Sequence, residues 1–194
     1  MKTVFIILFA GMLLMSCKNG NSNKEEHNHQ EMIKVDDEKS KKKVLSPHTS
    51  AMAMVSDAHI HIDYSSPGVR GRIIFGGLLA YDQVWQSGAH MATWIETNKD
   101  LQIKGKTLPA GKYGFFTIPS KDEWTVIFNS NWEQHGKDEY DEKDDVIRFK
   151  VKPTSSEEIK EHLEYKVSKV DDAEGKINLS WEKVSIDFNF KVEQ

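Results

Sequence analysis

His59-Ile60-His61 sets two imidazoles two positions apart, which brings both to one face of the chain if the segment is extended. Their β-carbons would then lie roughly 7 Å apart, close enough to share one metal ion. Ile60, Ile62 and Tyr64 would take the opposite face. Further along, His90 and Met91 stand together and His135 follows Gln134. Several imidazoles with a soft thioether suit copper or zinc better than calcium or magnesium. The candidate metal set is therefore His59, His61, His90, Met91 and His135, with Met52, Met54, His27, His29 and Met32 as further donors of the same kinds. A plainer alternative, histidines solvated on the outer face of a strand, stays open at this point because spacing alone does not make a site.

A second chemistry resides in two stretches, Tyr64 to Arg72 and Val84 to Thr93, where glycines mix with polar and aromatic groups. Loops of this composition often carry function. Arg70 and Arg72 offer guanidinium forks that bind carboxylate or phosphate bidentately. With Trp85 and Gln86 they form the candidate set for an anionic or sugar-like small molecule. The alternatives are an arginine pair that braces its own loop, and tryptophans (Trp85, Trp94, Trp132) that fill the core. A catalyst would need a nucleophile with its base, or paired carboxylates in a cleft. Asp63, Glu96 and His135 are acid–base candidates, yet neither a G-x-S-x-G elbow nor an H-E-x-x-H helix occurs. Binding leads over a hydrolase on these grounds.

Alternating strands must position these groups. Val184, Ile186, Phe188, Phe190 and Val192 alternate with Ser185, Asp187, Asn189 and Lys191, the pattern of a half-buried strand. Ile177, Leu179 and Trp181 alternate likewise, and Asp171 to Gly175 supplies a turn from a strand over 163–170, so a hairpin is expected. Further strands are expected over 51–55, 59–64, 91–97, 101–103, 112–118, 124–129 and 146–151, punctuated by Gly105, Pro109-Ala110-Gly111 and Pro119. Residues 155–161, opened by a Ser cap, predict a short helix. The fold class is all-β: an antiparallel sandwich or partly closed barrel of about ten short strands. Gly111-Lys112-Tyr113 after Leu108-Pro109 has the form of a tyrosine corner, whose hydroxyl bonds back to backbone.

Tyr64 to Arg72, Val84-Trp85, Gly88-Ala89, Ala92-Thr93, Leu108-Pro109-Ala110-Gly111-Lys112-Tyr113 and Trp124 to Asn129 together resemble a family of exported bacterial lipoproteins, of Bacteroidetes type, catalogued as a domain of unknown function. The shared motifs are YSxPxVxGR, VWxxGAxxAT and LPAGxY, and the resemblance covers essentially the whole region after residue 46. This chain departs from the family pattern where Ser66 and Gln86 replace arginines, His90 an asparagine, Met91 a glutamate and His135 a frequent tryptophan. The resemblance implies a polar pocket in the two glycine-rich loops. The departures exchange polar groups there for imidazole and thioether.

At the N-terminus, Met1-Lys2-Thr3 precedes an apolar run over residues 4–15, the shape of a signal peptide. The run is shorter than the roughly 20 residues a spanning helix needs. Leu14-Met15-Ser16-Cys17 resembles the lipobox at which lipoprotein signal peptidase cuts before a diacylated cysteine. Lipidation explains a sole cysteine in an exported chain, where paired thiols would otherwise be expected. Residues 1–16 are thus expected to be a signal peptide, 17–45 a lipidated Cys17 with a polar, disordered tether, and 46–194 a single domain. The membrane, inner or outer, is the expected anchor, with the domain outside the cytoplasm. A formal net charge of −4 with no concentrated basic patch argues against nucleic acid as partner.

Overall fold

The computed structural model describes residues 44–193; the signal peptide, Cys17, His27, His29, Met32 and nearly all of the tether fall outside them. Ten strands follow in chain order: β1 (His48–Val55), β2 (Ala58–Ser65), β3 (Trp94–Thr97), β4 (Leu101–Ile103), β5 (Lys106–Leu108), β6 (Gly111–Ile118), β7 (Trp124–Asn129), β8 (Asp145–Val151), β9 (Thr154–Lys169) and β10 (Glu174–Val192). One 3-10 turn, Glu142–Asp144, precedes β8. The strands form a six-stranded sheet in the order β1-β2-β3-β6-β7-β8 and a four-stranded sheet in the order β5-β4-β10-β9. Every strand pairing is antiparallel. The described residues form two antiparallel sheets, consistent with the sandwich rather than the partly closed barrel of the two architectures expected.

The alternation visible in the sequence produces the core. Ala58, Ile60, Ile62 and Tyr64 of β2 point inward, as do Phe115 of β6, Val126 and Phe128 of β7, and Ile186, Phe188 and Phe190 of β10. Phe115, Phe128, Phe149 and Phe188 meet edge to face, with Phe149 and Phe188 centroids 4.9 Å apart. Offset and edge-on contacts of this kind add to plain area burial. The tyrosine corner forms as expected: Tyr113 Oη donates to Pro109 O at 3.0 Å.

Two expectations are corrected. Residues 155–161 are not a helix; they extend β9, with Thr154 opposite Ser185, Ser155 opposite Val184 and Lys160 opposite Glu182. A weak local preference yields to the ladder that β10 offers along its length. The strands are also not uniformly short. β9 runs 16 residues and β10 runs 19, because the alternations over 177–181 and 184–192 are one strand. A register shift on either side of Glu182, whose φ is 55°, carries the chain through the interruption.

Candidate functional site

The first three strands build a continuous outward-facing surface. Inward Ala58, Ile60 and Ile62 fix the pleat of β2, so His59, His61 and Asp63 must face out. The β1–β2 register sets Met54 opposite His59 and Met52 opposite His61. On the other side β3 sets Glu96 opposite His61 and Trp94 opposite Asp63, and β6 sets Lys112 opposite Glu96. One row across the sheet therefore reads Met52, His61, Glu96, Lys112.

The imidazoles of His59 and His61 lie with ring centroids 6.1 Å apart and planes tilted by 46°. Two imidazoles bound to one ion at about 2.0–2.1 Å, with roughly 1.1 Å from nitrogen to ring centre, hold their centroids about 5 to 6.5 Å apart, depending on the angle at the metal. The observed separation falls inside that window. His61 also meets the edge of Trp94 at 5.0 Å, which limits its rotation. Asn98 fixes the start of β2: its Oδ1 accepts the His59 backbone N–H at 2.7 Å and its Nδ2 donates to Asp57 O at 3.3 Å.

Beside this pair lies an aromatic platform. The Nζ of Lys112 sits 3.5 Å from the ring centre of Trp94 and 3.7 Å from that of Trp132, a doubled cation–π contact. Both tryptophans are half-buried on the outer face rather than in the core. Next to them His48, Asp63, Met91, Trp94 and Trp132 are among the residues lining a cavity of about 210 Å³. His48 Nε2 meets Asp63 Oδ1 at 2.8 Å.

The remaining expected metal ligands assemble elsewhere. Met91 pairs with His135 in an isolated antiparallel bridge, and His90 O accepts the Gly136 N–H at 2.8 Å. His135 Nδ1 lies 3.4 Å from Asp138 Oδ2. The structure thus brings His59 to His61, and His90 and Met91 to His135, as two separate groups. Among the described residues no three of His, Cys, Asp and Glu are grouped to hold a metal ion.

The glycine-rich loops are held by internal bonds. Arg72 donates through Nε to Val69 O at 3.0 Å and through Nη2 to Gly68 O at 2.7 Å, bracing its own turn. Arg70, at φ 50°, is tied by its backbone N–H to Glu161 Oε1 at 2.9 Å while its side chain is exposed. Trp85 lies in the core, stacked on Trp181 at 5.7 Å, with Nε1 donating to Gly88 O at 3.0 Å. Gln86 is half-buried, and its carbonyl accepts the Thr93 N–H at 3.2 Å. Around Ser87 a buried polar set closes: its carbonyl accepts from Tyr165 Oη at 2.8 Å and Thr93 Oγ1 at 3.0 Å, and its hydroxyl meets Thr117 Oγ1 at 2.9 Å. Gly88 has to be glycine here, since a β-carbon would come within 2.5 Å of Thr93 Oγ1. Burial holds the Tyr165 hydroxyl protonated far above the ordinary tyrosine range, so it serves as a permanent donor. In this chain the loop motifs work as a scaffold.

Two groups of interest left no mark in the sequence. Lys112 reaches the tryptophans only through strand register, which its Gly-Lys-Tyr context does not disclose. Asp145, with its side chain 5% exposed, accepts from Asn129 Nδ2 at 2.7 Å and from Tyr140 Oη at 2.9 Å. It sits in the run Asp141-Glu142-Lys143-Asp144-Asp145, where any member would read as solvated. Desolvation raises the Asp145 carboxyl above the usual carboxylate range, outweighing the donors that favour its charge. Burial and the Asp145 contact push the Tyr140 hydroxyl up as well.

No curated protein and no solved structure matches the chain. A family model does match, over residues 46–190, which is nearly the whole described domain and includes the YSxPxVxGR, VWxxGAxxAT and LPAGxY motifs. The chain belongs to the family described as Protein of unknown function (DUF2911).

Proposed function

We propose that this domain binds a transition-metal ion, copper or zinc, at the His59/His61 pair, and that it does so as a lipid-anchored protein of the cell envelope. The observation that carries the reading is the 6.1 Å separation of two outward-facing imidazoles on one strand, with Trp94 limiting the rotation of one of them. Each ring has a nitrogen free to turn toward a shared ion, and the surrounding face is open to solvent. The anchoring half of the reading rests on the signal-peptide pattern and the lipobox before Cys17. The test is calorimetric titration of the detergent-solubilised full chain with Zn(II), Cu(II) and Cu(I), beside a His59→Ala/His61→Ala double variant. Micromolar or tighter binding that disappears in the variant is expected. Binding of equal strength in both proteins, or none in either, refutes it.

A second reading is favoured by the Trp94–Lys112–Trp132 platform and the adjoining cavity of about 210 Å³. Two ring faces with an ammonium between them suit a sugar carrying a carboxylate. This would be binding too, so the domain is read as a binding module rather than an enzyme. Of the acid–base candidates, Asp63 is engaged by His48, Glu96 lies on the open face, and His135 faces Asp138 on an exposed loop.

A further inference from the structure

We propose that the His59/His61 site is built for a soft monovalent cation, Cu(I), with the thioethers of Met52 and Met54 as its other two ligands. This rests on the reading of the histidine pair as a metal site and adds the identity and oxidation state of the ion.

The β1–β2 ladder arranges the four side chains as a two-by-two patch, with Met52 opposite His61 and Met54 opposite His59. Outward neighbours lie about 7 Å apart along a strand and about 5 Å apart across the pair, which puts a point about 3 Å above the patch centre roughly 5 Å from every β-carbon. An imidazole or a methionine side chain spans that distance to a bound ion, and methionine has the rotational freedom to turn its sulfur inward.

The exposure of the methionines supports the same conclusion. Met52 is 57% and Met54 55% exposed, while Ala51, Ala53 and Val55 supply the packing of β1 onto the core side. Two large apolar side chains on the outer face of an edge strand gain little from burial, and edge strands are usually protected there by charge. Coordination gives them a purpose that packing does not.

The donor set decides among ions. Thioethers are soft ligands that select Cu(I), whereas Zn(II) sites are completed by thiolate, imidazole or carboxylate. The carboxylate opposite His61 on this face, Glu96, lies on the side away from the methionines. A neutral set of two imidazoles and two thioethers leaves a single positive charge on the complex with Cu(I), with no carboxylate or thiolate to offset the double charge a divalent ion would leave.

The test compares the full chain in detergent with a Met52→Leu/Met54→Leu variant. Leucine keeps the volume and apolar character of methionine at these exposed positions, so the fold is retained. Cu(I) is delivered without oxygen from its bicinchoninate complex, with Ag(I) as a redox-inert check, and Zn(II) is titrated separately. Donors of the tether are common to both proteins and cancel in the comparison. The expected result is one Cu(I) per chain, at least tenfold weaker in the leucine variant, with Zn(II) affinity unchanged and the methionine methyl carbons shifted on Ag(I) addition. Equal Cu(I) affinity in the two proteins, or Zn(II) preferred over Cu(I), overturns the assignment while leaving the histidine pair a metal site. Absence of binding by every ion overturns both.

Discussion

Asp145 carries a carboxylate that is 5% exposed and accepts hydrogen bonds from Asn129 and Tyr140. Because desolvation holds its pKa above the ordinary value, the folded protein binds the proton more tightly than the unfolded chain does. Its contribution to stability is fully present below about pH 4 and is lost as pH rises through the raised value. Asp57, Asp141 and Asp172, each lowered in pKa by a lysine contact or a backbone N–H, act in the opposite direction, so the clean quantity is a difference. The melting temperature of Asp145→Asn relative to the natural chain should move in the variant's favour between pH 4 and pH 7. A flat difference across that range in a thermal-melt series contradicts the assignment. At this scale the sequence told only part of the story. The facing of His59 and His61 follows from alternation with Ile60 and Ile62, whereas Asp145 is hidden among four neighbouring charges whose burial depends on the 3-10 turn beside it.

The long hairpin of β9 and β10 closes one side of the sandwich, and its weakest point is the bulge at Glu182, where the backbone takes φ 55°. A left-handed conformation costs an ordinary side chain about 1 kcal/mol and a β-branched one more. Glu182→Val should therefore lower stability by about 1–2 kcal/mol, and Glu182→Gly should be neutral or stabilising, as denaturant titration of the two variants would read. The reverse order would place the strain elsewhere. Alternation in the sequence made both halves of β10 legible, but nothing local revealed that they join into one strand. Residues 155–161 went astray for a related reason: nine successive exposed positions at the start of β9 carry no period-2 signal, and only the ladder to β10 makes them a strand. β5 carried no signal because only Leu108 of its three residues is buried, whereas β4, equally short, sets Leu101 and Ile103 inward.

For the whole molecule, the two sheets divide the work. The four-stranded sheet and the loops from Tyr64 to Thr93 seal the core around Trp85, Trp181 and Ser87, and the outer face of the six-stranded sheet is covered at β6 and β7, where Phe116 and Ile127 are buried with Val84, Ala92 and Tyr140, but exposed over β1 to β3. The family motifs drew attention to the sealed part, since tight turns and buried bonds leave strong sequence signatures; the open face is written in register, which no short motif records. His90, Met91 and His135 show the difference, because they converge with one another through a bridge that sequence spacing cannot express, and among the described residues no third histidine or carboxylate is grouped with the β2 pair to hold a metal ion. If the chain is anchored as proposed, Cys17→Ser should move it from the membrane fraction to the soluble one and abolish labelling by radioactive palmitate. Retention of the variant in the membrane would dismiss the lipid anchor.

The most direct test of the central claim is to follow the imidazole resonances by NMR while one metal ion is added per chain. A shared ion on β2 predicts that the signals of His59 and His61 shift together and saturate at one equivalent, with His48, His90, His135 and His162 unmoved. A saturable shift centred on His90 and His135, or no saturable shift in any imidazole, would contradict it.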